Sequence, residues 1–220
     1  MSTASTLTVR PALVGPLEEN AYLIVDPETR DAIYVDPGEE GDRLIDLLKA
    51  SDATLRAIWL THAHFDHVGA IASLRRAYDV PIYLHPADRP VYDAAAEFAE
   101  EFGLPFDVPP PPDRDLAEGQ QLTLGRTTFD VVHVPGHAPG HVAFLGPGIV
   151  FSGDLIFAGS IGRTDLPFGD PAKMLESLER AALWDPSLVL YPGHGRSSTV
   201  RQELRSNPFL SGLARPVARR

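Results

Sequence analysis

The sequence predicts an α/β fold in which mixed β-sheets and helices form layers. Nine short runs have the composition of β-strands, and amphipathic helical patterns lie between some of them. Some neighbouring runs are joined by tight turns and others by helices. Because tight turns join antiparallel strands and helical crossovers join parallel ones, each sheet is expected to contain both kinds of pairing.

The predicted strands are rich in β-branched or aromatic residues and are bounded by proline, glycine or aspartate. They cover residues 20–25, 32–35, 55–61, 81–85, 120–124, 127–134, 141–145, 149–152 and 188–191.

The predicted helices are supported by apolar residues at helical spacing, such as Leu44, Leu47 and Leu48, and by Pro171 at a favoured first-turn position. They cover residues 42–50, 67–79, 87–103 and 171–184, with one more helix within 199–210.

Length and composition limit the class of protein. The 220 residues, 44% apolar and 22% charged, suit one globular domain over 1–220. The net charge of −11 argues against nucleic-acid binding, and no apolar run is long enough to span a membrane. The start, "MSTASTLTVR", lacks the pattern of a secretory signal, so a cytoplasmic protein is expected. The sequence makes no prediction of the oligomeric state.

One segment breaks the composition. Residues 103–115 include four consecutive prolines, Pro109 to Pro112, which favour a stiff, extended chain. We expect a surface loop, which serves either as a plain connector or as a lid.

Potential metal ligands are concentrated in "THAHFDH", residues 61–67. His62, His64 and Asp66 alternate directly after a predicted strand, and alternate residues of an extended chain share one face. His67 falls where the helical pattern begins and can point back to the same place. Because the chain has no cysteine, any metal must be held by histidine, aspartate or glutamate.

Three more candidate ligands follow the ends of other predicted strands: His137, Asp154 and His194. A sheet edge can gather such strand ends into one place. Five imidazoles and two carboxylates are too many for one tetrahedral ion and suit two divalent ions with a bridging carboxylate and a bridging water-derived oxygen. A shell of nitrogen and oxygen without sulfur fits zinc, iron or manganese, and zinc is the first expectation.

The motif resembles the T-H-x-H-x-D-H signature of the metallo-β-lactamase superfamily, and the order of the later ligands is similar too. The run "NAYLIVDPETRDAIYVDPG" resembles that superfamily's opening hairpin. The resemblance covers roughly residues 7–210. It implies a four-layer αββα sandwich of two mixed β-sheets flanked by helices, with the metals at one edge of the sheets.

Within the superfamily, "GDLIFAGSIGRTDLP" and "YPGHG" look most like the glyoxalase II group, the hydroxyacylglutathione hydrolases, in its short bacterial form. By this resemblance one metal is held by His62, His64 and His137, the other by Asp66, His67 and His194, and Asp154 bridges them.

The resemblance implies hydrolysis of a small-molecule thioester, of the S-lactoylglutathione type, by a metal-bridging hydroxide that Asp66 helps to orient. Full-length glyoxalase II has a C-terminal helical extension that grips glutathione; this sequence has no counterpart, so no separate glutathione-binding domain is expected. Two alternatives stay open: a mononuclear-iron persulfide dioxygenase that uses the counterparts of His62, His137 and Asp154, and a lactone or ester hydrolase. A metal-stabilised binding module without catalysis is a further possibility, although all seven ligand positions are filled.

Four further residues are candidates for the site. Arg163, in a glycine-rich loop, suits a substrate carboxylate, or else is tied to Asp165. Arg196 is a second substrate-binding candidate, or else a solvated surface arginine. Asp36 and His141 are expected behind the ligands, where they support metal-binding side chains, with a turn-forming and a purely structural role as their respective alternatives.

Overall fold

The chain forms two six-stranded β-sheets in the computed structural model, which describes residues 7–218. The absence of a secretory signal was inferred from the first ten residues, of which residues 1–6 lie outside this range. No helix within the described part of the chain is both long and apolar enough to cross a membrane.

The first sheet contains strands from the N-terminal half of the chain, in the order β1-β2-β3-β4-β5-β6. β1 to β3 pair antiparallel, and β3 to β6 pair parallel. Its strands are β1 (Thr8–Val14), β2 (Glu19–Val25), β3 (Asp31–Val35), β4 (Thr54–Trp59), β5 (Ile82–Leu84) and β6 (Arg114–Asp115).

The second sheet has the order β12-β11-β10-β9-β8-β7, in which the β10–β11 pair is parallel and the other pairs are antiparallel. Three of its strands, β8, β10 and β11, therefore run in the same direction and end at the same edge. Its strands are β7 (Gln121–Leu124), β8 (Thr127–His133), β9 (Val142–Gly146), β10 (Ile149–Gly153), β11 (Val189–Pro192) and β12 (Ser198–Thr199).

Helices cover the outer face of each sheet. α1, α3, α4 and α5 share a buried apolar cluster with the first sheet, and α6 and α7 share another with the second. The helices are α1 (Gly41–Ala50), α2 (Phe65–Val68), α3 (Ile71–Ala77), α4 (Arg89–Asp93), α5 (Ala95–Glu101), α6 (Pro171–Ala181) and α7 (Val200–Ser206), with a 3₁₀ turn at Pro86–Asp88.

A third apolar cluster lies between the two sheets and joins their inner faces. The ring of Trp59 on β4 lies 5.5 Å from that of Phe129 on β8 and 5.4 Å from that of Phe144 on β9. Burial of each such side chain contributes about 1.5–3 kcal/mol. The predicted four-layer αββα sandwich with mixed sheets is thus confirmed, whereas a single domain over 1–220 without a C-terminal glutathione-binding domain stays a prediction.

The strand β1 was missed because Pro11 interrupts its pattern. Proline lacks a backbone N–H and is tolerated on edge strands, and β1 is the edge strand of its sheet. β6 and β12 were missed because each has two residues.

Two predicted helices are wrong in extent. The helix over 87–103 is divided into short pieces. Pro90 fits only the first turn of a helix, so α4 begins at Arg89, and α5 begins separately at Ala95. The helix over 67–79 starts earlier, at Phe65, and is interrupted at Gly69, where a side chain would lie 2.4 Å from the carbonyl oxygen of Gly38.

The proline-rich segment 103–115 is fixed against the first helical layer. The hydroxyl of Tyr92 donates to the carbonyl of Pro110 (2.7 Å), and the N–H of Ile82 donates to the carboxylate of Asp113 (2.9 Å). The segment ends in β6, which pairs with β5. It is therefore an ordered connection on the surface of the domain.

Candidate metal centre

The two sheets meet at the edge where β4, β8, β10 and β11 end. The N–H of Val142 donates to the carbonyl of Thr61 (2.8 Å), and the N–H of Asn20 donates to the carbonyl of Gly193 (2.8 Å). Each bond links a residue of one sheet with the chain that follows a strand of the other. The loops that carry the predicted ligands are thereby held side by side.

Three of the predicted ligands, His62, His64 and His137, have one ligand atom each within 4.8 Å of the others. Nδ1 of His64 lies 2.8 Å from Nε2 of His137. All three side chains are buried. The loop after β4 and the loop after β8 thus supply one group of three imidazoles.

A second group combines Asp66, His67 and His194, again within 4.8 Å. Nε2 of His194 lies 3.2 Å from Oδ2 of Asp66, and Nε2 of His67 lies 3.9 Å from the same oxygen. The loops after β4 and β11 supply this group.

Asp154, directly after β10, lies between the two groups. Its Oδ1 is 3.5 Å from Nε2 of His67, and its Oδ2 is 3.3 Å from Nε2 of His137 and 3.7 Å from Nε2 of His194. One carboxylate thus faces an imidazole of the first group and two of the second, as expected if Asp154 is the bridging ligand; that role stays a prediction.

These spacings fit bound metal ions. Two ligands at about 2 Å from a tetrahedral ion lie about 3.3 Å from each other, close to most of the distances above. In addition, Nε2 of His62, Nε2 of His67 and Oδ1 of Asp154 are buried without a hydrogen-bond partner among the described residues. Because such orphaned polar atoms are costly, the cluster is a candidate divalent-metal centre.

The outer nitrogens of the imidazoles fix how the rings point. Nδ1 of His137 lies 2.7 Å from the carbonyl oxygen of Arg163, and Nδ1 of His194 lies 3.1 Å from that of Leu17. A carbonyl accepts only, so each Nδ1 carries a proton, which leaves Nε2 as the nitrogen that can bind a metal. Both rings therefore present a metal-binding nitrogen toward Asp154.

Asp36, directly after β3, supports two more of the rings, those of His62 and His67. Its carboxylate accepts from the N–H of Thr61 (2.7 Å) and the hydroxyl of Thr61 (2.6 Å), and Oδ2 lies 3.2 Å from Nδ1 of His67. Oγ1 of Thr61 in turn lies 3.0 Å from Nδ1 of His62. Asp36, His62 and His67 also have ligand atoms within 4.8 Å, but we interpret that group as this hydrogen-bond network.

Asp36→Asn is expected to weaken metal binding about 10- to 100-fold, because an amide has a single acceptor oxygen for three donors. Asparagine tolerates the left-handed backbone conformation of Asp36 (φ 48°), so the backbone should be unchanged in the variant. Competition with a chelator measures the change. Asp31→Asn, at the start of β3, removes a half-buried carboxylate that pairs with Arg56; it is the control and should leave metal affinity unchanged. Equal effects of both variants would contradict the role of Asp36.

The electrostatics of the cluster favour a cation. Burial lowers the pKa of His62, His64 and His141 well below the usual value, and neighbouring imidazoles lower it further. Burial also acts to lower the pKa of His67, but Asp154 and Asp66 raise it well above its usual value. The carboxylates around His67 thus require a positive charge, which a metal ion would supply in place of a proton.

Of the remaining predicted residues, His141 lies behind the ligands, and the two arginines lie nearer the surface. Nε2 of His141 accepts from the N–H of Asp154 (3.2 Å), so His141 lies behind the candidate bridging ligand. The guanidinium of Arg163 forms two hydrogen bonds with Asp165 (2.9 and 3.0 Å). Pairing with Asp165 was the alternative to a role of Arg163 in substrate binding. Arg196 is exposed.

The position of Asp66 differs from the expected one. We predicted that His62, His64 and Asp66 alternate along an extended chain, but α2 begins at Phe65 and Asp66 lies in its first turn. The helical turn, rather than strand alternation, brings Asp66 and His67 toward His194. The signal was present in the sequence, since the apolar spacing Phe65, Val68 suits one helical turn.

Asp88 was not identified from the sequence. Its fully buried carboxylate accepts from the N–H of Ala63 (2.8 Å) and from the N–H of Gly140 (2.6 Å). Burial raises the pKa of this carboxyl to about 7, although both N–H donors lower it. Asp88 therefore ties the loop that carries His62 and His64 to the loop that carries His137.

Glu19 was also missed. It begins the apolar run of β2, is fully buried, and has no hydrogen-bond partner for either carboxylate oxygen among the described residues. Oε1 lies 3.8 Å from Nδ1 of His67. Burial raises the pKa of Glu19 well above its usual range, His67 opposes this, and Asp36 adds to it. A charged residue at the start of a strand that is buried throughout its length was the available signal.

A cavity of about 300 Å³ opens onto the cluster. Five predicted ligands line its inner end: His64, Asp66, His137, Asp154 and His194. Apolar side chains form its walls: Leu17, Phe65, Phe98, Phe102, Phe157, Leu166 and Pro167. Glu101 and Arg163 complete the lining. Residues 103–115 are not part of it, which favours the connector over the lid.

Comparison with known proteins agrees with this architecture. The family model described as the metallo-beta-lactamase superfamily matches residues 14–194. The hydroxyacylglutathione hydrolase GloC of Haemophilus influenzae is 39% identical over 203 residues, which cover 90% of this chain and 95% of that protein.

Two solved structures share the fold at high similarity. TTHA1623 in a di-iron-bound form has a TM-score of 0.86 and 48% identity, over 92% of this chain and all of that one (100%). The B3 metallo-beta-lactamase BLEG-1 also has a TM-score of 0.86, with 38% identity over 93% of this chain and 100% of that one. The names of these relatives point to different substrates, and one of the structures holds two iron ions.

Proposed function

Because the chain belongs to the metallo-β-lactamase superfamily, we propose that it is a thioester hydrolase of the glyoxalase II-like group that uses two divalent metal ions. The matches to the family and to hydrolase-named relatives support a metal-dependent hydrolase. The proposal adds the bond that is cleaved, the number of metal ions and the residues that hold them.

The observation that carries the proposal is the pair of complete ligand groups that share Asp154. We assign one ion to His62, His64 and His137, the other to Asp66, His67 and His194, and the bridging position to Asp154. A site of this kind supplies a nucleophilic water at neutral pH and polarises the carbonyl under attack. A reaction at a single ion would give no role to the second group of ligands, Asp66, His67 and His194.

The side chains around the ions are assigned three tasks. The carbonyl oxygens of Arg163 and Leu17 and the Asp36–Thr61 network hold four imidazoles in the orientation that binding requires. Asp66, at the inner end of the cavity, accepts a hydrogen bond from the attacking water and orients it. The apolar walls exclude other water from the thioester.

The choice of a thioester is supported by the relative GloC, whose name is that of a hydroxyacylglutathione hydrolase. No cysteine is available in the chain to serve as a nucleophile, which agrees with direct attack by water. Zinc, iron and manganese all suit the nitrogen and oxygen ligands, and a di-iron form is known for one similar structure.

The test is reconstitution of the metal-free protein with zinc, iron or manganese, followed by metal analysis and an assay with S-lactoylglutathione and other acyl thioesters. We expect two ions per chain and hydrolysis of at least one thioester. One iron per chain with oxygen uptake would indicate a persulfide dioxygenase instead. If no metal-loaded form hydrolysed any acyl thioester, the proposal would be wrong.

Arg163→Ala is expected to raise KM for the anionic S-lactoylglutathione about threefold, with metal content unchanged. The effect is small because Asp165 competes with a substrate carboxylate for the guanidinium. Metal binding is kept because His137 is held by the backbone carbonyl of Arg163, which the substitution retains. Steady-state kinetics with metal analysis measures both; loss of metal would show a structural role instead.

A further inference from the structure

The cavity in front of the metal cluster is lined by apolar side chains outside the ligand set, with two charged exceptions. We propose that the site selects thioesters that carry an uncharged apolar group, of the size of a phenyl ring or a short branched alkyl chain. Phe98 and Phe102 are assigned as specificity-determining residues. This inference rests on the proposed thioester hydrolysis and names the substrate class of that site.

The first wall of the cavity is aromatic. Phe98 lies on α5, Phe102 directly follows that helix, and Phe65 begins α2. The rings of Phe65 and Phe102 are 5.2 Å apart and tilted by 46°, so they pack as one surface. Aromatic surfaces of this kind bind apolar groups through burial and through ring contacts.

The other side of the cavity comes from the loop after β10. Phe157 lies there, and its ring packs edge-on against the imidazole of His194 at 5.8 Å. An apolar contact thus reaches the metal cluster itself. A substituent next to the scissile thioester would lie between Phe157 and the aromatic wall of Phe65, Phe98 and Phe102.

The charges at the cavity do not suit a strongly charged substituent. Outside the ligand set the charged lining residues are Glu101 and Arg163, and Arg163 is already paired with Asp165 through two of its N–H groups. Glutathione carries two carboxylates and an ammonium group, for which one paired arginine and one glutamate are a poor complement. The chain's net charge of −11 adds no attraction for an anion.

Two apolar side chains that line the cavity are partly exposed to water, which agrees with binding of an apolar ligand. Phe102 is 55% exposed and Leu17 is 37% exposed, and both line the cavity. A bound apolar group would remove part of this surface from water, which is favourable in proportion to the area buried. The volume of about 300 Å³ is at the lower end for ligand pockets, about 300–1,000 Å³, and suits a small substituent.

The experiment uses the metal-loaded protein and two series of thioesters. In the first, the thiol is N-acetylcysteamine and the acyl group is acetyl, isovaleryl or phenylacetyl. In the second, the acyl group is acetyl and the thiol is ethanethiol, benzyl mercaptan or glutathione. The first series tests the acyl side and the second tests the thiol side. S-lactoylglutathione is included as the anionic reference, and each rate is corrected for uncatalysed hydrolysis.

In at least one series we expect kcat/KM to be about tenfold higher for the aromatic substrate than for the smallest one. Phe102→Ala should lower this ratio by about tenfold, and Phe98→Leu, which keeps the helix and most of the packing, should lower it in the same direction. Leu183→Ala, which removes a side chain 86% exposed and outside the cavity, is the control and should leave the ratio unchanged.

Different results would overturn the apolar specificity and the thioester hydrolysis. Hydrolysis that favours S-lactoylglutathione over every uncharged thioester, or a ratio unaffected by Phe102→Ala and Phe98→Leu, would overturn the apolar specificity and leave thioester hydrolysis standing. Absence of hydrolysis with all thioesters, in protein shown to hold its metals, would overturn both.

Discussion

Asp154→Asn is expected to reduce the metal content from two ions per chain to at most one and to lower thioester hydrolysis by more than about 100-fold. Substitution of residues that merely support a ligand costs about 10- to 100-fold, and Asp154 faces both ligand groups directly. Its Oδ1 lies 3.5 Å from Nε2 of His67 and its Oδ2 lies 3.3 Å from Nε2 of His137. An amide nitrogen cannot take the place of either oxygen.

Metal analysis and kcat/KM measured on the same preparation test this expectation. Asparagine has the shape of aspartate, so the N–H that Asp154 donates to His141 is kept and the fold should be unchanged by circular dichroism. Asp130→Asn, at an exposed carboxylate on β8, is the matched control. Two bound ions with undiminished hydrolysis in Asp154→Asn would show that the carboxylate is not shared.

The sequence was sufficient to predict that the three later ligand-type residues come together, because each of them follows a strand end. His137, Asp154 and His194 come after β8, β10 and β11, which run in the same direction in one sheet. Parallel strand ends share an edge whatever the details of the loops. Convergence could therefore be predicted before any distance was known.

The residues that hold the ligand loops could not be predicted in the same way. Asp88 and Glu19 are far from the motif in sequence, and their roles depend on contacts made only after the sheets pack. A single buried carboxylate has no periodic pattern of its own in the sequence. The strand β1 was missed for a related reason, since Pro11 is acceptable only because β1 is an edge strand.

Gly193→Ala is expected to abolish most metal binding and hydrolysis, by about 100-fold or more, although it adds one methyl group. A Cβ at this position would lie 2.1 Å from Oδ1 of Asp154 and 2.7 Å from Cε1 of His67. Both are buried side chains of the cluster, so neither can give way without disturbing its geometry. The carboxylate would have to rotate out of its position between the two ligand groups, and we expect the second ion to be lost with it.

The control for this prediction is Gly195→Ala, two residues along the same loop. Gly195 has a φ of +77°, and a Cβ there meets nothing within 4 Å. Gly195→Ala should cost about 1–2 kcal/mol in backbone strain. It should therefore lower thermal stability without displacing any of the ligand side chains. Gly193→Ala should do the reverse, with β-sheet content retained and bound metal lost. Comparable metal loss in both variants would indicate that the loop responds to backbone strain, and the close approach of Gly193 to Asp154 would then not be the cause.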